Sequence, residues 1–265
     1  RNEKLLEIEE ICVETNSMSY KDYLDCRNFS FIAELFGNPV LLPVFKLTQK
    51  LGINFYDFSM LVTNVIQDKN FKGKFKDLYN DFCKESSNEL FESRESLIEF
   101  YSKPENYEAL VQGDIGENLQ AKYKAKSLLV YEDLISAVFY VLRTKFDKSY
   151  NNGLKSVLNS SEKWLKNLYM IDEIFGDKLE IKEDYKFKLN IDFDFPNWLL
   201  NSHLPFDQFK KHSTYEIGYD FKKLNYLRNE VESYRNGGKR ALIRYLYLYM
   251  HRGNDVFEKK FQKIN

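Results

Sequence analysis

The chain has 265 residues, enough to bury a sizeable core in one large domain or two small ones. Its 39 basic and 40 acidic residues give a formal net charge of −1, and this balance argues against a general nucleic-acid binder. The 22 Phe and 19 Tyr residues are compatible with a core built on aromatic rings, although the codon bias of an AT-rich genome is the simpler explanation of this composition.

The cysteine and hydropathy patterns set further limits. Cys12, Cys26 and Cys83 have no CxxC spacing, so a disulfide framework is not expected and a reduced, cytoplasmic setting is favoured. No apolar run approaches the roughly 20 residues that a membrane-spanning helix needs. We therefore expect neither a membrane nor nucleic acid as a partner.

The N-terminal segment predicts an extended stretch that ends in a polar turn. The pattern up to Ile11 fits either a helix or a strand. The β-branched residue Val13 at the end of this segment favours a strand that leads into the turn at 14–17. Ser19 lies three residues before Asp22, which is typical of a capping box. A helix is predicted from this box to about residue 36, followed by Gly37.

Glycine and proline then divide the first half into further helices. These are expected over about 44–51, 54–66 and 75–83, followed by two short helices, the second starting at Pro104. The stretch 113–116 is the predicted boundary between an N-terminal helical lobe, residues 1–112, and a C-terminal helical lobe, residues 113–265.

The second half adds a strand signal. Long helices are predicted over 118–146 and 154–175, and alternating apolar residues predict a β-hairpin near residues 178–194 that turns near 183–184. A Pro205-led helix, an extended 214–217, helices over 221–235 and 240–251 and a basic tail that reads as a frayed amphipathic helix follow. The predicted fold class is mainly α: a multi-helix, bundle-like body with a small antiparallel β-hairpin in the second half.

The polar turn beside the capped helix is the first candidate binding site. A helix N-terminus presents free N–H groups, so Asn16, Ser17 and Tyr20 could hold a polar or anionic group. Ordinary capping is the simpler explanation. Arg27, on the same helix, could bind a carboxylate or a phosphate bidentately, although such an arginine is more often part of a surface ion pair.

Other candidates have ordinary explanations. Asp192 and Asp194 could form an acid–base pair with His203 nearby, but on an alternating strand they read first as its solvated face. The glycine-rich 236–240 stretch resembles an anion-binding loop, yet a helix–turn–helix connection explains it better. No histidine or cysteine spacing predicts a metal site, so no catalytic and no metal-binding residue is assigned.

One stretch carries a family resemblance. The pattern Glu-x-x-x-Glu-Thr-x-Ser-Met-Ser-x-x-Asp-Tyr-x-x-x-Arg-x-Phe, from Glu10 to Phe29, resembles the region just after the catalytic barrel in cobalamin-binding radical SAM proteins. The continuations at 32–38 and 45–52 fit it, and the tail over 241–261 is similar to the way those proteins end. The likeness covers about residues 6–66 and is loose beyond them.

The resemblance implies a longer enzyme with an N-terminal cobalamin (B12) domain and a barrel. The barrel would hold a [4Fe–4S] cluster that cleaves S-adenosylmethionine, often for methyl transfer. Because the CxxxCxxC cluster motif is absent from this chain, no catalytic residue of the family carries over to it and no cofactor is expected in it. The chain would be the C-terminal accessory region, not catalytic alone, with the upstream radical SAM and B12 domains as its partners.

Two further expectations follow from that interpretation. A chain that begins at Arg1 and runs directly into ordered-looking sequence favours a fragment of a longer polypeptide. Asn16, Ser17, Tyr20 and Arg27 would then face the catalytic domain and its substrate. The alternative is a stand-alone helical binding module for a protein or polar ligand, while a stand-alone hydrolase lacks an evident catalytic constellation.

Overall fold

The computed structural model describes residues 6–116, 118–149, 151–176, 185–252 and 257–264. Within these ranges the chain is mainly α with a small antiparallel sheet in its second half, so the predicted fold class is confirmed. The first six helices are α1 (Tyr20–Phe36), α2 (Leu42–Lys50), α3 (Phe55–Gln67), α4 (Lys74–Asn88), α5 (Arg94–Ser102) and α6 (Pro104–Gln112). The later elements are α7 (Leu119–Leu128), α8 (Tyr131–Lys145), α9 (Asn152–Leu168), α10 (Ile171–Phe175), β1 (Lys186–Ile191), α11 (Phe195–Leu200), β2 (Ser213–Gly218), α12 (Phe221–Asn236), α13 (Lys239–Arg252) and β3 (Lys260–Lys263).

Helix α1 has the limits that its capping signals predict. The Asp22 backbone N–H donates to Ser19 Oγ at 3.2 Å, and the Ser19 backbone N–H donates to Asp22 Oδ2 at 2.9 Å, which completes the capping box. The helix ends at Gly37, whose N–H donates to the Ala33 carbonyl. The predicted strand before it is wrong: residues 6–14 form neither helix nor strand, and only an isolated bridge joins Thr15 to Met18.

Aromatic rings join α1 to α4 and α7. Phe31 of α1 is fully buried, with its ring centroid 4.4 Å from that of Phe82 on α4. Tyr123 of α7 meets both rings edge-on, at 6.5 and 5.4 Å. Stacked and edge-on pairs of this kind add stability beyond the area they bury. Aromatic residues therefore form part of the core between these three helices.

Two predicted long helices are each interrupted. The 118–146 helix breaks at Leu129 and Val130, which separate α7 from α8. The 154–175 helix breaks after Leu168. At this point the Leu168 carbonyl accepts a hydrogen bond from the Lys259 N–H at 2.9 Å, and the Met170 N–H donates to the Phe257 carbonyl at 2.7 Å. The second break is a tertiary effect, because a distant segment takes backbone groups that a continuous helix would use.

The sheet has the order β1-β2-β3, and both pairings are antiparallel. Strand β1 confirms the second arm of the predicted hairpin, but its partner is β2, with Leu189 opposite Tyr215. The first arm and its turn, 178–184, lie outside the described residues. The frayed helix predicted for the tail is wrong: β3 pairs with β2 and places Lys263 opposite Tyr215. The Pro205-led helix is a single 3₁₀ turn, Phe206–Phe209.

One continuous cluster of buried apolar side chains extends from Phe31 to Phe257 and includes residues on both sides of the 112/113 boundary. The division into two lobes stays a prediction. Among the described residues, no single helix is long and apolar enough to cross a bilayer; only α1 combined with residues 39–50 meets the length and composition criteria, and that pair is bent by 68°.

The aromatic junction gives a stability prediction. We expect Phe31→Ala to lower the free energy of unfolding by about 3–5 kcal/mol, because it empties a fully buried site between helices. Urea denaturation followed by far-UV circular dichroism measures the change. Leu248→Ala is the control, since Leu248 is 50% exposed and its loss should cost less than about 1 kcal/mol. Equal losses in the two variants would contradict the prediction.

Candidate functional site

The polar turn before α1 is closed by its own hydrogen bonds. The Thr15 N–H donates to the Met18 carbonyl at 2.8 Å, and Thr15 Oγ1 accepts the N–H groups of Ser17 and Met18 at 3.3 and 3.1 Å. Asn16 and Ser17 are exposed at its tip. Together with the capping box, these bonds support the ordinary-capping explanation for the turn.

Tyr20 and Arg27 point towards α4. They lie seven residues apart and therefore share one side of α1. The Tyr20 hydroxyl is 3.5 Å from the Ser87 carbonyl, and Arg27 Nε donates to Ser86 Oγ at 3.3 Å. These two side chains are part of a helix–helix contact.

The Arg27 guanidinium is fully engaged within the chain. Its other two nitrogens donate to the Tyr23 hydroxyl at 3.1 Å and to Glu89, with which it forms a partly buried ion pair. Burial raises the pKa of Glu89 above its ordinary value, and the nearby Arg27 charge opposes that rise. Arg27 is therefore in an ion pair, as the simpler interpretation predicts, but the pair is partly buried and not at the surface.

The same polar cluster continues to α7. Glu85 accepts hydrogen bonds from Lys122 Nζ at 2.6 Å and from the Tyr123 hydroxyl at 2.7 Å. Lys124, also buried, reaches Glu34 on α1 at 2.6 Å. Buried ammonium groups need partners of opposite charge. These pairs therefore fix α7 against α1 and α4.

The four predicted residues thus divide into two pairs. Asn16 and Ser17 face solvent at the turn, whereas Tyr20 and Arg27 contact α4. Their predicted role in facing a substrate stays a prediction.

Asp194 forms a second polar cluster. The solvated-face prediction is wrong for Asp194, whose side chain is fully buried, although it holds for Asp192, whose side chain is 78% exposed. The physical reason is that β1 ends at Ile191 and the chain turns into α11, so the strand alternation does not extend to residue 194.

The buried Asp194 carboxylate is paired on both oxygens. Oδ1 accepts from the Tyr215 hydroxyl at 2.6 Å, and Oδ2 accepts from Lys263 Nζ at 2.6 Å, with Lys211 Nζ at 3.8 Å. Burial alone would raise the pKa of Asp194, but the hydrogen bonds from Lys263 and Tyr215 and the lysine charges outweigh it and lower the pKa. Burial, and then the hydrogen bond to Asp194, raises the pKa of Tyr215.

A cavity lies beside this cluster. It encloses about 590 Å³ between α2, α9, α11 and the strands β2 and β3. Tyr215 and Lys263 line it, whereas Asp194 lies behind them. Lys46, Trp164 and most of the other lining residues are far apart in sequence, so residue spacing did not reveal this site. The tail carries no period-2 strand signal that could have indicated β3, because its apolar residues Phe257 and Phe261 are four positions apart, a helical spacing.

Among the described side chains, the remaining candidates are not brought together in a catalytic arrangement. His203 is exposed, and exposed His212 contacts Asp192 through Nδ1 at 2.9 Å, away from Asp194. His251 lies at the end of α13. The 236–240 stretch connects α12 to α13, as the helix–turn–helix interpretation predicts, and Gly238 adopts a positive φ of 88° there.

Metal ligands do not converge in the part of the chain that the structure describes. No group of three or more His, Cys, Asp or Glu side chains is placed to hold a metal ion there. Cys12 and Cys26 are exposed and Cys83 is partly buried on a different helix. Within the described ranges, these three cysteines are not brought together as the ligands of an iron–sulfur cluster.

The α1–α4 ion pair gives a prediction for Arg27. We expect Arg27→Met to lower the free energy of unfolding by about 1–3 kcal/mol, because Glu89 is left partly buried without its cation. Adding Glu89→Gln should recover part of the loss, and a double-mutant cycle by urea denaturation measures the coupling. Lys21→Met removes an exposed pair with Asp25 and should have no measurable effect. A coupling energy of zero would contradict a structural role for the pair.

The Asp194 cluster gives a prediction about pH. The pKa of Asp194 is lower in the folded protein than in the unfolded chain. Its pairing therefore stabilises the folded state at any pH above the ordinary carboxyl pKa, and this stabilisation is lost as the pH falls through the folded-state pKa of Asp194. We expect Asp194→Asn to cost about 1–3 kcal/mol at pH 7 and progressively less below about pH 4.

The exposed Asp192→Asn is the matched control for Asp194→Asn and should leave stability at pH 7 unchanged. Denaturation curves between acid and neutral pH compare the two variants. A loss for Asp194→Asn that stays constant down to acid pH would contradict the charge-based explanation.

Comparison with known proteins does not assign this chain to a family. No protein-family model, no curated protein and no solved structure matches the chain.

Proposed function

We propose that this chain is the C-terminal accessory region of a B12-dependent radical SAM enzyme, where it helps to shape the substrate pocket and is not catalytic alone. The observation that carries the proposal is the resemblance over Glu10–Phe29. The fold is compatible with it, because this stretch forms a closed turn and a capped helix that is anchored on α4 and α7.

The exposure of the turn supports a docking role. Asn16 and Ser17 stand clear of the chain's own core, and residues 6–14 have no regular secondary structure. An upstream barrel would contact this face without disturbing Arg27 or Tyr20, whose intrachain partners keep α1 in place. In this arrangement the cobalamin, the [4Fe–4S] cluster and S-adenosylmethionine all belong to upstream domains of the same polypeptide.

The first test is the composition of the complete polypeptide from the native gene. We expect it to contain iron, labile sulfide and a corrinoid, with the matching anaerobic visible spectrum, and we expect this chain alone to contain none of them. Metal analysis and spectroscopy measure this directly. A complete polypeptide without cluster or corrinoid would overturn the proposal.

Hydrogen exchange gives a second, local prediction. Backbone amides at Asn16 and Ser17 should exchange more slowly in the complete polypeptide than in this chain alone, because an upstream domain would cover them. The backbone amides around Tyr226, a residue of α12 that is 58% exposed, are the internal control. They should exchange at the same rate in the complete polypeptide and in this chain alone. Equal exchange at the turn would contradict the proposed contact.

A second candidate is a stand-alone helical binding module for a polar ligand or a protein. The observation that favours it is the 590 Å³ cavity, which is lined by residues of this chain. Binding by a chain that lacks iron and corrinoid, together with a native gene that encodes no upstream cluster motif, would favour this candidate over the first.

A further inference from the structure

The cavity beside Asp194 has the size and lining of a small-molecule site. Its volume of about 590 Å³ lies within the range typical of ligand pockets. One wall is aromatic: the Trp164 ring centroid lies 4.9 Å from that of Tyr215 and 4.7 Å from that of Phe261. The wall belongs to α9, β2 and β3, which hold the rings rigidly.

The mouth of the cavity is also apolar. Leu42, Leu200 and Phe261 line it and are 42%, 85% and 41% exposed. These side chains lie on three different elements, α2, α11 and β3, and converge at one opening. Covering them with an apolar group would be favourable in proportion to the area removed from water. The occupant should therefore have an apolar body.

Charge at the cavity favours a single negative group. Lys263 is neutralised by Asp194, as described above. Lys46 has no carboxylate partner among the described residues, and its ammonium makes one weak hydrogen bond, to the Leu199 carbonyl at 3.4 Å. Glu258 also lines the cavity. One available cation, at Lys46, matches an occupant with one negative charge.

We propose that this cavity binds a small apolar molecule carrying one carboxylate, with the apolar body against Trp164 and Phe261 and the carboxylate at Lys46 Nζ. The inference uses contacts within this chain alone and is independent of the radical SAM proposal. Asp194 has a positioning role, since it orients Lys263 and Tyr215 on the cavity wall.

A matched pair of probes and a matched pair of variants test this proposal. Naphthalene-2-carboxylate and the uncharged 2-naphthamide share one apolar body, and equilibrium dialysis measures their binding to the chain. We expect the carboxylate to bind more tightly than the amide. Lys46→Met should weaken the carboxylate about tenfold and the amide hardly at all, as expected for loss of one charge-assisted hydrogen bond.

Lys50→Met is the control for Lys46→Met. Lys50 lies one turn further along α2 and donates to the His203 carbonyl at 3.0 Å, but it does not line the cavity, so both affinities should be unchanged. Leu200→Asp alters a side chain that is 85% exposed, which spares the fold, and should weaken both probes. Far-UV circular dichroism checks that every variant is folded.

Three results would overturn the proposal. The first is no binding of naphthalene-2-carboxylate up to about 1 mM, a concentration that corresponds to a very weak site. The second is equal affinity for the carboxylate and the amide, which would show an apolar groove without anion recognition. The third is an equal effect of Lys46→Met and Lys50→Met on the carboxylate.

Discussion

The buried carboxylate of Asp194 is the constraint on which the second half of the structure depends. An ionised group away from water is tolerated only when it is paired and hydrogen-bonded. Its two partners come from different strands, Tyr215 on β2 and Lys263 on β3, so satisfying one charge orders three segments of chain at once. The cavity wall follows from this, because both partners also line the cavity.

The first half of the chain also contains buried ion pairs, but there the buried group is the cation. There the buried groups are the ammonium groups of Lys122 and Lys124 on α7, and the carboxylates of Glu85 and Glu34 reach them from α4 and α1. Aromatic rings fill the space between these helices, while the ion pairs fix how the helices are rotated. A core of many similar rings can pack in several ways, and buried ion pairs are one means of selecting a single arrangement.

Local signals predicted local structure well. The capping box at Ser19 and Asp22 defines α1 because both groups lie within one turn, and the glycine at 238 marks a helix connection for the same kind of reason. The candidate cavity could not be predicted in this way. Lys46 and Lys263 come to the same cavity only through tertiary packing. Asp192 and Asp194 differ in burial because β1 ends at Ile191 and the chain then turns into α11, so the strand alternation does not reach them.

Strand β3 has a consequence for the order in which the molecule can fold. Lys263 lies 69 positions after Asp194, and Lys46 contacts Leu199 across 153 positions, so these contacts have a high sequence separation. Closing such large loops carries an entropic cost that helix formation avoids. During synthesis on a ribosome, helices α1 to α4 can pack early, whereas the sheet and the pocket it borders are completed only after β3 has emerged.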